Sequence, residues 1–396
     1  MRLLVHEIRS EGHHVPWAGM VLESLIDQVE ELVFSHGGGE QLSMLRDLSP
    51  SVMSRITLHK ATDRTMLNGR DSLAALVNAV RQVEPDRIFV NSIDDFASHI
   101  FRSAAMGIGA PRSLAGRLHG LYLRPRPLDK TASGLGIAIK RFGARRLFRQ
   151  DVFSRIGLLD EFLEASLRTE AEIQTTWIPD FYRPLPQVDR EEARAEMGIP
   201  VDRSSLLFFG VPHRRKGLDL AIEAFDRDGL GNAVLFVAGK LPRESDVRDR
   251  LAGLVEEGRA IVREGFVAES DIATVFAAAD RVLIPYRKHY GSSSVLTLAA
   301  AAGRPVIASD HHLVGRRVVE HGLGVVHRDE DVDSLHEAIR TSIDAAPARI
   351  EDWRRGLEHW AGLNEVSRFR SAIREVAGLT NSTTQVFDRL AVRGEA

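Results

Sequence analysis

Residues 206-LLFFGVPHRRKGLDLAIEAF-225 place an apolar run, a glycine, a short basic turn and a helix-spaced stretch in direct succession. The run reads as a strand buried on both faces, because sheets covered on both sides use strands without polar alternation. It ends at Gly210, and a helix starts near Gly217. A strand followed at once by a helix is the repeating unit of α/β folds. In open sheets of this kind, ligands gather outside the carboxyl ends of the strands. A helix N-terminus there favours an anion through its free N–H groups and its dipole. His213, Arg214, Arg215 and Lys216 add positive charge at that point, so phosphate is the natural ligand and a diphosphate the better fit. A solvated basic loop is the alternative for these residues taken alone.

The same unit recurs along the chain. Strand-like runs fall at 2–8, 31–35, 87–91, 206–210, 233–239, 281–286 and 305–309, with helical patterns such as 217–228 and 271–280 between them. This alternation predicts parallel sheets in an α/β fold. A second turn of interest lies in 290-YGSSSVLTLAAAAGRPVIAS-309. Gly291 allows close backbone approach, and Ser292, Ser293 and Ser294 can cap the helix that follows or donate to phosphate. That helix stops at Gly303, with Pro305 beyond it. Two helix N-termini at one sheet edge strengthen the diphosphate reading; capping alone is the simpler alternative for the serines.

The chain has 396 residues, 44% of them apolar and 27% charged, enough for two domains with full cores. The net charge of −3 argues against a nucleic-acid partner, which usually demands a basic excess. The absence of cysteine excludes disulfides and thiolate metal sites and fits a cytoplasmic setting. The apolar start MRLLVHEI is interrupted by charge too soon for a signal or membrane segment. Prolines and charges concentrate in 177–205, which reads as a linker. The expected division is 1–184, 185–365 and a closing part 366–396, in which an amphipathic helix within 364–379 ends at Gly378 ahead of a polar tail.

The second half resembles the nucleotide-binding domain of family-4 glycosyltransferases of the GT-B fold. The resemblance covers roughly 206–340, through FFGVPHRRKGLDLAIEAF, AVLFVAGK, REGFVAESDIATVFAAADRVLIPY, GSSSVLTLAAAAGRPVIAS and GRRVVEHGLGVVHRDEDVDSLHEAI, in the family's order and spacing. It implies two Rossmann-like domains facing a cleft, with the closing helix crossing back to the first. The first domain would take a hydroxyl acceptor (lipid, polysaccharide, peptide or small metabolite) and the second a nucleotide-diphosphate sugar. It also implies a hexosyl transfer that needs no metal or other cofactor and proceeds with retention. Gly210, Arg214 or Arg215, Lys216 and Gly291–Ser294 would hold the donor, with Lys216 matching the family's lysine and Glu320 an acid common at its position.

The departures are specific. The family carries two glutamates with seven residues between them in this second turn and its helix, one near the donor sugar and one near the ribose; here Tyr290 and Leu298 occupy those positions. The family's arginine after the first glycine is Val211. Either the donor is bound differently, or the chain is a catalytically silent scaffold; the kept anion site favours the enzyme. In the first half, His119 is the candidate beside the donor sugar. His13, in 11-EGHHVP-16, is a candidate base for an inverting transferase, since neutral imidazole suits that role.

The segment 138-AIKRFGARRLFRQDVF-153 reads as a basic amphipathic helix, able either to pack its apolar face on the core or to lie on the inner face of a membrane. The acids of 331-DVD-333 sit at a helix start and read as caps rather than metal ligands. The pair His311–His312 has no partners at zinc-ligand spacing.

Overall fold

The computed structural model describes residues 1–9, 14–38, 45, 48–62, 67–170, 173–211, 213–243 and 245–379, without the side chains of 14–16 and 245. The chain forms two compact units, residues 1–178 joined by the segment from Phe369 onward, and Pro179–Arg368. The division thus falls at Ile178/Pro179, where the sequence places it at 184/185.

In the first unit seven strands are β1 (Arg2–Glu7), β2 (Glu31–His36), β3 (Ile56–Lys60), β4 (Arg87–Val90), β5 (Leu118–Leu121), β6 (Phe153–Leu158) and β7 (Thr175–Trp177). They pair in parallel in the order β3-β2-β1-β4-β5-β6-β7. Helices α1 (His14–Leu25), α2 (Gly69–Val83), α3 (Asp94–Ala105), α4 (Leu135–Arg149) and α5 (Glu161–Arg168) run between them. The apolar faces of α2, α3 and α4 cover one side of the sheet in a single core that includes Leu76, Phe96, Phe101, Leu147 and Phe153.

The second unit opens with α6 (Arg190–Met197) inside the expected linker. Asp189 caps it, accepting from the Glu191 and Glu192 N–H groups at 2.8 and 3.0 Å, and Gly198 ends it in a left-handed conformation. Its buried Arg194 grips Asp280 at 2.6 Å and the carbonyls of Pro200 and Arg203 at 2.8 Å each. The "linker" is therefore a docked helix, its polar sequence explained in part by a buried guanidinium whose two terminal nitrogens are bonded to Asp280 and to backbone carbonyls.

Six strands follow: β8 (Ser205–Phe209), β9 (Val234–Gly239), β10 (Ala260–Glu264), β11 (Arg281–Ile284), β12 (Val306–Ser309) and β13 (Gly324–His327). Their order is β10-β9-β8-β11-β12-β13, all parallel. The helices are α7 (Leu218–Phe225), α8 (Ser245–Glu256), α9 (Ile272–Ala277), α10 (Ser294–Ala301), α11 (His312–Glu320), α12 (Val332–Ile343) and α13 (Pro347–Leu363). Phe208, Phe225, Leu235 and Ile339 anchor the core on one face. Each sheet thus reverses strand order once, between β1 and β4 and between β8 and β11, and such reversals open the ligand crevice at the strands' carboxyl ends.

The closing helix α14 (Val366–Val376) belongs to the first unit from Phe369 on. Trp17 meets Phe369 edge-on at 5.3 Å, and Arg374 Nε donates to the Ser24 carbonyl at 2.9 Å. The Arg87 guanidinium donates to the carbonyls of Ala377, at 3.0 Å, and Gly378, satisfying groups that a helix end leaves unpaired.

Candidate functional site

The two turns singled out in the sequence come together at the β8–β11 reversal. The first is a single 3-10 turn, Arg214–Lys216, capped by His213, whose Nδ1 accepts from the Arg215 N–H at 3.2 Å. Gly217 follows with φ 74°, and a Cβ there would sit 2.1 Å from the Pro285 carbonyl oxygen. Only glycine lets the basic turn lie this close to the strand end at Pro285.

The contacts between the turns are specific. Lys216 Nζ donates to the hydroxyl of buried Tyr286 at 2.6 Å, and Ser293 Oγ lies 3.4 Å from the same oxygen. Arg215 donates to His289 Nδ1 at 3.1 Å, so the other ring nitrogen carries the proton and donates to the Ser292 carbonyl at 2.8 Å. Arg287 clamps Asp219 through two bonds of 2.7 Å and reaches the Arg214 carbonyl at 2.8 Å. Burial alone would raise the Asp219 pKa, but the Arg287 bonds and charge outweigh it and hold the carboxyl below its usual value. Arg287 is thereby committed to scaffolding, which leaves Arg214, Arg215 and Lys216 as the cations of the turn.

The three serines divide their work. Ser292 donates to Asp180 and accepts from Arg317, which bonds Asp180 at 3.0 Å and lies over the Trp360 ring at 4.9 Å. Arg317 is wholly buried, so Ser292 is part of a buried ionic network rather than a free donor. Ser293 stands at the N-cap of α10 without a side-chain cap bond, and buried beside Tyr286. Ser294 is exposed in the first turn. Leu296 N–H bonds the Ser293 carbonyl at 3.0 Å, so the amides before it precede the first intrahelical bond and are available to an anion.

Other sequence candidates lie elsewhere. Tyr290 packs against His312 with the rings tilted by 59° and their centres 4.3 Å apart. Glu320 is at the carboxyl end of α11, the end remote from this edge, exposed and 4.0 Å from Arg316; it is not brought to the site. His119 lies within β5 rather than beyond it, and its Nδ1–H donates to the Val376 carbonyl at 2.6 Å. Burial pushes its pKa down to about 4, with Arg87 and Arg155 adding to the effect, so it is a neutral anchor for α14. His13 is outside the described residues. Asp331 caps α12 by accepting from the Ser334 N–H at 2.8 Å, as its position in the sequence suggests.

Tyr286, His289, Asp180 and Arg317 escape the sequence reading. Tyr286 and His289 carried a signal, as polar aromatics beside a basic turn; Asp180 and Arg317 did not, being far apart in sequence. A second polar group also goes unread, at the β1–β4 reversal. Buried Glu7 accepts from Asn91 Nδ2 and the Arg9 N–H at 2.8 Å each, and Arg9 pairs with Asp95 at 2.6 Å. His6, bonded to Ser35 at 3.0 Å, is pushed down to about 4 by burial, against the pull of Glu7. The signal was the polar pair His6–Glu7 directly after the apolar run Leu3–Val5 of the strand.

Residues 203–345 match the family described as Glycosyl transferases group 1. A D-inositol 3-phosphate glycosyltransferase of Catenulispora acidiphila is 34% identical over 44% of this chain and 44% of its own length. The enzyme of that name from Mycobacterium leprae is 32% identical over 39% of this chain and 38% of its own length. The chain thus spans less than half the length of the curated relatives it matches. Among solved structures, Anabaena HepE in complex with UDP-glucose has a TM-score of 0.66 at 16% identity, covering 96% of this chain and all of that one. Sucrose-phosphate synthase from Thermosynechococcus elongatus has 0.66 at 18%, covering 95% and 98%. These likenesses are of fold: two parallel-sheet Rossmann-like halves with a helical closing segment, as in GT-B glycosyltransferase structures. The second unit of the chain carries a glycosyl transferases group 1 domain.

Proposed function

We propose that the chain is a glycosyltransferase that moves a sugar from a nucleoside-diphosphate donor to a hydroxyl acceptor, with the diphosphate at the β8–β11 edge. Lys216 carries this reading: its ammonium is held by the buried Tyr286 hydroxyl at 2.6 Å, beside Ser293 at the start of α10. An ammonium, two neighbouring guanidinium groups and a helix N-terminus, fixed before the reaction, can stabilise charge as it develops on a leaving diphosphate. The group 1 domain and the relatives' printed activity support the reaction class.

In this reading the sugar's C1–O bond to the diphosphate breaks and a bond to the acceptor oxygen forms. The leaving phosphate oxygen takes the acceptor's proton on the same face, giving retention. The diphosphate's charge is met by side chains and helix dipole without a bound metal, in a cytoplasmic setting. The acceptor uses the β1–β4 edge, where the first sheet reverses its strand order.

Calorimetric titration with UDP, GDP, ADP and TDP tests the donor site, with UDP first because HepE is solved with UDP-glucose. One nucleoside diphosphate binding the chain but not Lys216→Ala supports the transferase. A second reading, a silent scaffold, is favoured by Tyr290 and Leu298 in place of the family's two glutamates. No binding by any of the four selects it. Trials of acceptors begin with inositol 3-phosphate, named for the curated relatives.

A further inference from the structure

Helix α4 has two faces, and the fold accounts for only one. Gly143, Ala144, Leu147 and Phe148 are buried. The approach to α3 is so close that a Cβ on Gly143 would lie 1.8 Å from the Phe101 carbonyl oxygen. The opposite face leaves Leu135, Ile139 and Phe142 exposed by 79%, 40% and 62%. Their spacing of four and three residues puts them in one stripe. The turn after α3 adds Met106 and Ile108, exposed by 70% and 58%. It follows Ala105, which itself lies against Gly143. Apolar side chains gathered in this way, rather than scattered singly, mark a contact surface.

The charge around this stripe is of one sign. Residues 134–150 contain no Asp or Glu and carry Lys140, Arg141, Arg145, Arg146 and Arg149. Arg141 is committed to the carbonyls of Pro127, Asp129 and Ala132. Lys140 is held below the usual lysine pKa by burial, then by the nearby guanidinium groups of Arg102 and Arg126. Like charges are thus gathered there. Beside them Phe142, Arg145, Arg146, Arg149 and Gln150 line an open recess of about 430 Å³. The nearby Glu170 is taken up chiefly by Lys130 at 2.7 Å, with Arg145 at 3.8 Å.

We propose that this face of α4 docks on an anionic phospholipid bilayer, with Leu135, Ile139 and Phe142 entering the acyl boundary and the arginine recess meeting headgroup phosphates. A bilayer offers an apolar layer and an anionic layer within the width of one helix, and the face presents both matching chemistries. An acidic protein partner would meet the arginines and leave the stripe in water. The proposal stands apart from the transferase reading, and its test needs no donor or acceptor.

The test is sedimentation of the full chain with vesicles of phosphatidylcholine, with and without phosphatidylglycerol. The expected result is binding to the mixed vesicles only, weakened by high salt. Phe142→Ser with Ile139→Ser, and Arg145→Gln with Arg149→Gln, should each lower the bound fraction at least about tenfold, because apolar area and cationic charge both contribute. These side chains are outside the core, so unchanged thermal melting separates lost docking from lost folding. A Phe142→Trp probe should shift its emission to the blue on mixed vesicles. No binding at low salt overturns the proposal, as does binding that both double variants retain. Equal capture by polyglutamate and by mixed vesicles overturns it in favour of an acidic protein partner.

Discussion

The carboxyl edges of the two sheets are built alike and charged differently. Each lies where strand order reverses, yet the β8–β11 edge presents Arg214, Arg215 and Lys216 beside a helix N-terminus. The β1–β4 edge instead buries Glu7 and a neutral His6, with Arg9 engaged by Asp95. The shared topology makes the crevice; the residues just past the strand ends decide what it can hold. One edge gathers cations beside a helix start, and the other commits its charged groups to one another.

The contrast can be broken first through Arg317. Removing one partner of a buried ion pair leaves the other uncompensated, so Arg317→Ala should cost about 3–5 kcal/mol of stability, read by urea denaturation. A loss under about 1 kcal/mol would show that the Asp180–Ser292 network does not hold the serine turn.

The first unit should answer to acid. His6 and His119 are lowered from 6.5 to about 4, so the unfolded chain takes protons there before the folded chain does. Their contribution to stability is complete above pH 6.5 and is lost as pH falls toward 4, by up to about 3 kcal/mol each. Denaturation from pH 7 to 4.5 checks this, and His119→Gln should flatten the slope. An unchanged slope would remove His119 from the account.

At the anion edge, Lys216→Ala should weaken nucleoside-diphosphate binding by roughly 10- to 100-fold, the size of a lost charge-assisted hydrogen bond. The smallest effects separate the serines. Ser293→Ala should weaken the same binding a few-fold, at about 1 kcal/mol, while exposed Ser294→Ala should leave it nearly unchanged if its amide rather than its hydroxyl is used. The reverse ranking would assign the hydroxyl of Ser294 to the ligand.

The second sheet was legible because its strands are continuously apolar and its turns carry glycine, proline and like charge within a few residues. Edge strands such as β3, 56-ITLHK-60, and β10, 260-AIVRE-264, were not, since polar residues break their runs. The sequence brought Lys216 and Ser293 into one site because each announces a helix start. It could not separate Ser292 from its neighbours, because Asp180 and Arg317 reach it only through the fold. It misjudged His119 for a related reason: a histidine on a strand looks the same whether it faces a ligand or, as here, the carbonyl of a helix 257 positions away.

The return of α14 to the first unit has a consequence for how the protein is made. On a ribosome, residues 1–178 emerge while the helix that covers Trp17 and caps its end on Arg87 is still untranslated. Domains generally fold in order of synthesis, but this one must wait for all of the second before it can close. The amino-terminal half is thus the last part of the molecule to be finished, and a chain cut short anywhere before Phe369 leaves it open.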